Sequence, residues 1–322
     1  MRPYLFFIFL SLWGYTACGQ YQETTEKKAF YLYVARNYLS DVTPVLNSLE
    51  DTIFFSRFAK GETRQDLLDG FNTLVHEAVH LYNYEQGKFW HENYYIAEGI
   101  NIKVRRQRVF NSMELNRIVP KAVQRGIFRY RTYIGDSSRV GSQINGFYGI
   151  LEEFGAYYHG TKADLELKPF YQTFCRQSVC WVKHFLGNTV STLHAYYEFR
   201  LFMAWYLRYA KVYHPGDYRK LTKDRNLRLA FTLLDQQYQD LVSDFFAVRQ
   251  RLISRLQASG AEVRLQNDTI LIWVSEKNIL SYDTFDDEIV WLKSLMSQED
   301  LLELEAFYLQ GATLKNYQRF LD

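Results

Sequence analysis

The segment His76-Glu77-Ala78-Val79-His80 combines residue types whose spacing suits metal chemistry. On a helix, residues four apart lie one above the other, so both imidazoles project from one face and can bind one ion. Zinc suits this pair because it accepts imidazole nitrogen and carboxylate oxygen, and a catalytic zinc keeps one position open for water. Glu77 is then placed to take a proton from that water and pass it to a leaving amine. The segment therefore predicts amide hydrolysis at a zinc centre.

A catalytic zinc of this kind needs a third protein ligand, and two downstream glutamates are candidates. Glu153 is followed by Ala156, whose small side chain would let its helix pack closely on the motif helix. Glu98 comes sooner in the chain, on what we expect to be the next helix. We favour Glu153 as the ligand and keep Glu98 as the alternative. Glu152 would then orient a histidine ligand from behind.

The element that must position this segment is an amphipathic helix. Thr63 is a reasonable N-cap and Gly87 a stop signal, and apolar residues recur between them at helical spacing: Leu67, Leu68, Phe71, Leu74, Val75, Ala78, Val79 and Tyr82. His76, Glu77 and His80 lie on the other side. The alternative interpretation is that they are ordinary polar residues on a solvated helix face.

The whole chain of 322 residues, 48% of them hydrophobic, predicts a globular and mainly α protein. A clear strand pattern occurs once and predicts a small β-hairpin over residues 262–274, and helix is predicted again after it. We expect a helical domain over residues 26–258 and a C-terminal appendage of hairpin and helix over residues 259–322. The net charge of +2, with no basic stripe, argues against a nucleic-acid partner.

The N-terminus has the three-part layout of an export signal over residues 1–19, with an apolar run from Tyr4 to Trp13 and small residues before the mature chain. Ordinary cleavage and a lipoprotein signal with Cys18 as the lipidated residue both fit. The protein is expected to be exported, to the cell envelope or outside the cell, with membrane contact only through such an anchor. Cys175 and Cys180 either pair, if the helix breaks there, or remain two buried thiols.

These motifs resemble the gluzincin metallopeptidases, which share a His-Glu-x-x-His helix and a glutamate ligand from a downstream helix. The segment from Glu153 to Ala156 is similar to the Glu-x-x-Ala ligand helix of lethal-factor-like peptidases, whereas Glu98-Gly99 is similar to the ligand of the aminopeptidase branch. The resemblance covers the two motif helices. It implies bound Zn²⁺ and a peptide or protein substrate. The chain departs from the family because no convincing strand precedes the motif helix.

Gluzincins commonly use a tyrosine or histidine to stabilise the oxyanion of the tetrahedral intermediate, so the resemblance implies such a residue here. Tyr148, Tyr157 and His159 lie near Glu153 in sequence. Tyr148 is our choice, because the glycine-containing segment around it looks like a flexible entry to the ligand helix. Packing is the alternative role for any one tyrosine in a chain that has 26 of them.

Two functions therefore compete. The first is a zinc metallopeptidase with His76, His80 and Glu153 as ligands, Glu77 as general base and Tyr148 as oxyanion donor. The second is a non-catalytic envelope lipoprotein or binding module on a metallopeptidase scaffold. The second expects that no third carboxylate reaches the histidine pair, or that the cleft is closed. A purely structural zinc is disfavoured because Glu77 beside two histidines is the arrangement for activating water.

Overall fold

A computed structural model describes residues 26–49, 52–88, 90–135, 141–174, 178–275 and 278–309. The predicted export signal with Cys18 lies outside these residues, as do Cys175 and the side chain of Cys180, so those expectations stay predictions. Most of the described residues are helical and two small antiparallel sheets accompany them, which confirms a mainly α protein. None of the helices within the described ranges is both long and apolar enough to cross a membrane.

The N-terminal part of the described chain is a series of helices that ends in the motif helix: α1 (26–38), α2 (Thr43–Ser48), α3 (Thr52–Phe58), α4 (Arg64–Asp69) and α5 (Phe71–Gly87). Thr63 is an N-cap as predicted, because its side chain accepts from the Asp66 backbone in a capping box. The helix that we expected to run from Thr63 to Gly87 is instead two helices. Gly70 divides them, ending α4 and preceding the first turn of α5.

A hairpin that the sequence analysis missed follows α5. Strands β1 (His91–Ala97) and β2 (Ile100–Arg105) pair antiparallel, and Gly99 takes a positive φ of 76° in the turn between them. The prediction that the C-terminal hairpin is the one clear strand region was therefore wrong. β1 is buried continuously from Asn93 to Ala97, so it lacks the polar and apolar alternation by which a strand is recognised.

Long helices make up the centre of the molecule. The chain continues through α6 (Lys121–Gly126), α7 (Phe147–Glu166), α8 (Lys168–Phe174), α9 (Ser178–His184), α10 (Val190–Tyr213), α11 (Pro215–Lys223) and α12 (Arg225–Ala258). Helix α7 packs against α5, α10 and α12 and is buried along most of its length. A short π-helical turn, Arg131–Gly135, lies between α6 and α7. Helix α7 therefore carries its polar side chains into the interior of the protein.

The C-terminal segment contains the predicted hairpin, formed by β3 (Glu262–Gln266) and β4 (Thr269–Ser275). The two residues of its turn, Asn267 and Asp268, both have positive φ, as expected of a tight hairpin. A third strand, β5 (Asn278–Asp283), and the helices α13 (Asp286–Leu295) and α14 (Gln298–Phe307) follow. This segment packs on the helical part, since the Phe307 ring centroid lies 5.0 Å from that of Phe147. The division into two domains stays a prediction.

Candidate metal centre

Helices α5 and α7 lie side by side and run in opposite directions. Asn72 near the start of α5 donates to Asp164 near the end of α7 at 2.8 Å, whereas His80 lies beside Glu152 in the first half of α7. Gly160 permits this close approach, because a Cβ there would lie 2.7 Å from the carbonyl oxygen of Asn72. The polar faces of the two helices therefore meet in the part of the interface that carries the predicted ligands.

Three ligand atoms converge between these helices. Nε2 of His76 lies 2.9 Å from Nε2 of His80, and Oε2 of Glu153 lies 3.2 Å from the His80 atom and 3.6 Å from the His76 atom. All three side chains are partly buried. The structure thus brings together the two histidines and the glutamate that the sequence analysis favoured.

The arrangement of these atoms fits a zinc ion. Zn–N and Zn–O bonds of roughly 2.05 Å in a tetrahedron place neighbouring ligand atoms about 3.3 Å apart, and the three observed distances lie on both sides of that value. Oε2 of Glu153 is also buried, and its ion-pair partners within the described residues are the two imidazoles. A buried carboxylate oxygen is costly unless a cation compensates it. The residues present therefore fit the metal.

Glu152 supports the cluster from behind, as predicted. Its carboxylate lies 2.6 Å from Nδ1 of His80, which leaves Nε2 of the same ring to face Glu153. Asn83, one turn beyond His80, reaches the same carboxylate at 3.5 Å. Carboxylates in this position fix the tautomer of a ligating histidine and raise its basicity. Nδ1 of His76 is different, because it is buried with no hydrogen-bond partner in the described part of the chain.

The two imidazoles differ in their affinity for a proton. Burial lowers the pKa of His80, but the charges and hydrogen bonds of Glu152 and Glu153 outweigh it and raise the pKa well above its ordinary value. Burial and the charges of His80 and Arg129 lower the pKa of His76 well below its ordinary value. In the metal-free site the two glutamates thus favour a proton on His80 and burial disfavours one on His76, and an incoming zinc ion must displace any proton from the ligating nitrogens.

A cavity of about 160 Å³ adjoins the cluster on the side of Glu77. It is lined by residues from α5, α7, α10 and the π-helical turn: Asn72, Thr73, His76, Glu77, Tyr133, Tyr157, Gly160 and Thr192. Glu77 is partly buried here, and burial is the largest cause that raises its pKa, with Glu153 and Glu152 adding to it and His80 and Arg57 opposing it. The expected general base therefore faces an open space beside the first expected ligand.

Two tyrosine hydroxyls face each other in the wall of this cavity. The hydroxyl oxygens of Tyr133 and Tyr157 are 3.1 Å apart, and the Tyr157 ring packs edge-on against His76 with centroids 4.5 Å apart. Burial, the charge of Glu153 and then Tyr157 raise the pKa of Tyr133, so it is a protonated donor at neutral pH. Tyr157 was a candidate from its position in the sequence, whereas Tyr133 was not, because no spacing relative to the motif gives a signal for it.

No protein-family model matches this chain, and no curated protein and no solved structure matches it either. The function is therefore inferred from the side chains of the site.

The structure places the other expected site residues elsewhere. Glu98 is exposed in the turn after β1, not on a helix, and it does not belong to the cluster around His76. Tyr148 is fully buried one turn before Glu152, where its backbone oxygen accepts from the Tyr94 hydroxyl, and it is not among the residues that line the cavity. Tyr148 contacts Tyr94 of β1, whereas Tyr157, one turn after Glu153, packs against His76. Tyr148 is therefore not in position to be the oxyanion donor.

The remaining histidines have structural partners or lie on the surface. His159 is fully buried and its Nε2 donates to the backbone oxygen of Tyr95 at 3.0 Å, while burial lowers its pKa to about 4. His184 lies between Asp164 and Asp69, at 3.4 and 3.8 Å. His91 is exposed at the start of β1. None of them joins the metal cluster in the described part of the chain.

Proposed function

We propose that this chain is a zinc-dependent hydrolase, specifically a metallopeptidase whose metal is held by His76, His80 and Glu153. The observation that carries the proposal is the convergence of three ligand atoms, 2.9 to 3.6 Å apart, between α5 and α7. The partly buried Glu77 beside them and the adjoining cavity support a catalytic rather than a structural site.

Zinc in such a site would supply a water of lowered pKa and would polarise a substrate carbonyl. The chain supplies the remaining functions. Glu77 takes a proton from the nucleophilic water and transfers it to the leaving amine, and its partial burial makes it a stronger base than a solvated glutamate. Glu152 holds His80 in the orientation that the metal needs. The hydroxyls of Tyr133 and Tyr157 in the cavity wall are candidate donors to the developing oxyanion.

We expect a peptide substrate to be bound by the side chains of the cavity more than by backbone pairing with the edge of β1. The edge of β1 that faces α5 and α7 is occupied at Tyr95, whose backbone N–H donates to Asn83 and whose backbone oxygen accepts from His159. Within the described residues, α4 precedes the motif helix where the gluzincin pattern has a strand. We therefore expect contacts between the substrate and the side chains that line the cavity.

The competing function is a non-catalytic binding module. It predicts either that no third carboxylate reaches the histidine pair or that the cleft is closed. The position of Glu153 and the cavity beside Glu77 favour the hydrolase over this alternative. Export to the cell envelope or beyond, with or without lipid on Cys18, is a further part of the proposal that rests on the N-terminal sequence.

The substitution Glu77→Gln tests this function because it removes the base and keeps the shape of the side chain. We expect equimolar zinc to remain and hydrolysis of a fluorogenic peptide pool to fall by roughly 10²- to 10⁴-fold. Glu85→Gln, an exposed position on the same helix, is the matched control and should act like the wild type. Equal hydrolysis by Glu77→Gln and the wild type would show that the activity does not come from this site.

A further inference from the structure

We propose that a second cavity, between α8, α9 and α12, binds a small organic anion in which a carboxylate or phosphate group is carried on an apolar body. The cavity has a volume of about 260 Å³. Among the described residues it shares no lining residue with the cavity beside Glu77, so the inference goes beyond the proposed function. Arg251, Arg255 and Lys168 would hold the anionic group.

Buried aromatic and aliphatic side chains form the floor of this second cavity. Tyr171, Trp181 and Val182 line it and are at most 7% exposed. The ring centroids of Tyr171 and Trp181 lie 5.9 Å apart, and the Tyr171 hydroxyl accepts from Gln65 at 3.2 Å, so both rings are held in place. Sites for small molecules are built in this way, with mostly apolar walls that are formed before the ligand binds.

Helix α12 supplies another wall. Val248, Leu252 and Leu256 line the cavity at four-residue spacing, which places them on one face of the helix. Phe185, which follows α9, packs against Phe245 of α12 with ring centroids 4.8 Å apart. This contact holds α9 and α12 together beside the cavity, so the apolar body of a ligand would lie between two walls whose separation is fixed.

The charged side chains that line the cavity are all cations. Arg251 and Arg255 are exposed one turn apart on α12, and Lys168 is partly buried at the start of α8. No acidic residue of the described part of the chain lines the cavity, and none of the three cations forms an ion pair with a described carboxylate. Arg249, on the same helix but outside the lining, instead donates to Asp286 at 2.8 Å.

Three like charges around one cavity are unfavourable until an anion binds. Arg251 and Arg255 are four residues apart, a spacing at which like charges destabilise a helix. A carboxylate or phosphate between them would replace this repulsion by charge-assisted hydrogen bonds, for which the planar guanidinium is well suited. A bare inorganic ion would leave the apolar floor in contact with water, whereas an anion with an apolar body covers it. The charges and the floor together therefore favour an amphiphilic anion.

The test measures the binding of 2-naphthoate to the purified chain by equilibrium dialysis. We expect saturable, equimolar binding to the wild type. The affinity of Arg251→Gln/Arg255→Gln should be lower by about 10- to 100-fold, because charge-assisted hydrogen bonds are lost. Neutral 2-naphthamide, which keeps the apolar body, and inorganic phosphate, which lacks it, should each bind the wild type at least about 10-fold more weakly than 2-naphthoate does.

The matched control removes two positive charges elsewhere on the surface. Lys183→Gln/Arg219→Gln changes exposed positions of α9 and α11 that are not among the lining residues. It should bind 2-naphthoate like the wild type, which separates a built site from general attraction between a basic surface and an anion. Thermal unfolding gives a second readout, since 2-naphthoate should raise the Tm of the wild type and the control but not that of Arg251→Gln/Arg255→Gln.

Three results would overturn the inference. The first is a wild type that shows no saturable binding of 2-naphthoate at concentrations up to roughly 1 mM. The second is an affinity of Arg251→Gln/Arg255→Gln that equals that of the wild type or that of the control variant. The third is inorganic phosphate that binds as tightly as 2-naphthoate, because the apolar floor would then have no role. None of these measurements depends on zinc or on hydrolysis, so the inference and the proposed function are tested separately.

Discussion

Oε2 of Glu152 lies 2.6 Å from Nδ1 of His80, so the nitrogen that faces the other two ligands is Nε2. This contact links the backing carboxylate on α7 to the motif helix. It also gives the neighbouring glutamates of α7 different positions, since Glu153 faces the Nε2 atoms of both imidazoles and Glu152 contacts the opposite side of the His80 ring. Substitution of Glu153 should therefore weaken zinc binding more than substitution of Glu152 does.

We expect Glu152→Ala to weaken zinc binding by about 10- to 100-fold without abolishing it, because the three ligands remain while His80 loses the group that orients it. The measurement is competition for zinc with a chelator of known affinity. Glu85→Ala, at an exposed position of α5, is the control and should bind zinc like the wild type. A Glu152→Ala protein with wild-type affinity would show that the contact has no role in metal binding.

The close approach of α5 and α7 gives a second prediction. Gly160→Ala would place a Cβ 2.7 Å from the backbone oxygen of Asn72 and 3.5 Å from Cβ of His76, so the helices must move apart. We expect the free energy of unfolding to fall by about 1–3 kcal/mol and zinc affinity to fall with it.

The control for this prediction is Gly216→Ala on α11, where an added Cβ has no atom within 4 Å. Alanine there should be neutral or should stabilise the protein by up to about 1 kcal/mol. Urea unfolding of both variants gives the comparison. Equal stability of Gly160→Ala and the wild type would mean that the helices can separate at no cost.

The buried His184 gives a prediction about pH. Burial lowers its pKa, but the neighbouring carboxylates of Asp164 and Asp69 outweigh burial and raise it to about 9. The proximity of His184 is in turn the largest cause that lowers the pKa of Asp69. Because the folded pKa exceeds the unfolded value of about 6.5, this stabilisation is complete below pH 6.5 and is lost as pH rises through 9.

We therefore expect His184→Gln to destabilise the protein more at pH 6 than at pH 10, with a difference of up to about 3 kcal/mol between the two. Urea unfolding at both pH values, with the wild type measured alongside, tests this. His91→Gln, at an exposed position, should leave the pH dependence unchanged. A His184→Gln penalty that is constant with pH would contradict a charged His184.

The clustering of His76, His80 and Glu153 could be predicted from sequence because local rules place these residues. The spacing of His76 and His80 puts them on one helix face, and Glu153 lies on a helix that Gly160 lets approach closely. The break at Gly70 was missed because a short break between two helices leaves the apolar pattern almost unchanged, and β1 was missed because its buried residues follow one another without alternation.

The cavity wall could not be predicted, because it is assembled by contacts between residues far apart in the chain. Tyr133 meets Tyr157 of α7 from a π-helical turn, and Thr192 reaches the cavity from α10. Nothing in the sequence around any one of these residues distinguishes it from a structural residue. Tyr148 was chosen by proximity in sequence, whereas the direction in which each turn of α7 faces decides which tyrosine reaches the site.

The most direct test of the metal centre is the zinc content and zinc affinity of the purified chain, for the wild type, Glu153→Ala and Glu98→Ala. We predict equimolar zinc in the wild type and in Glu98→Ala, and an affinity for Glu153→Ala that is lower by at least about 100-fold, beyond the loss expected for an orienting residue. A wild type that binds no zinc, or a Glu153→Ala protein that binds it as tightly as the wild type, would contradict a centre formed by His76, His80 and Glu153.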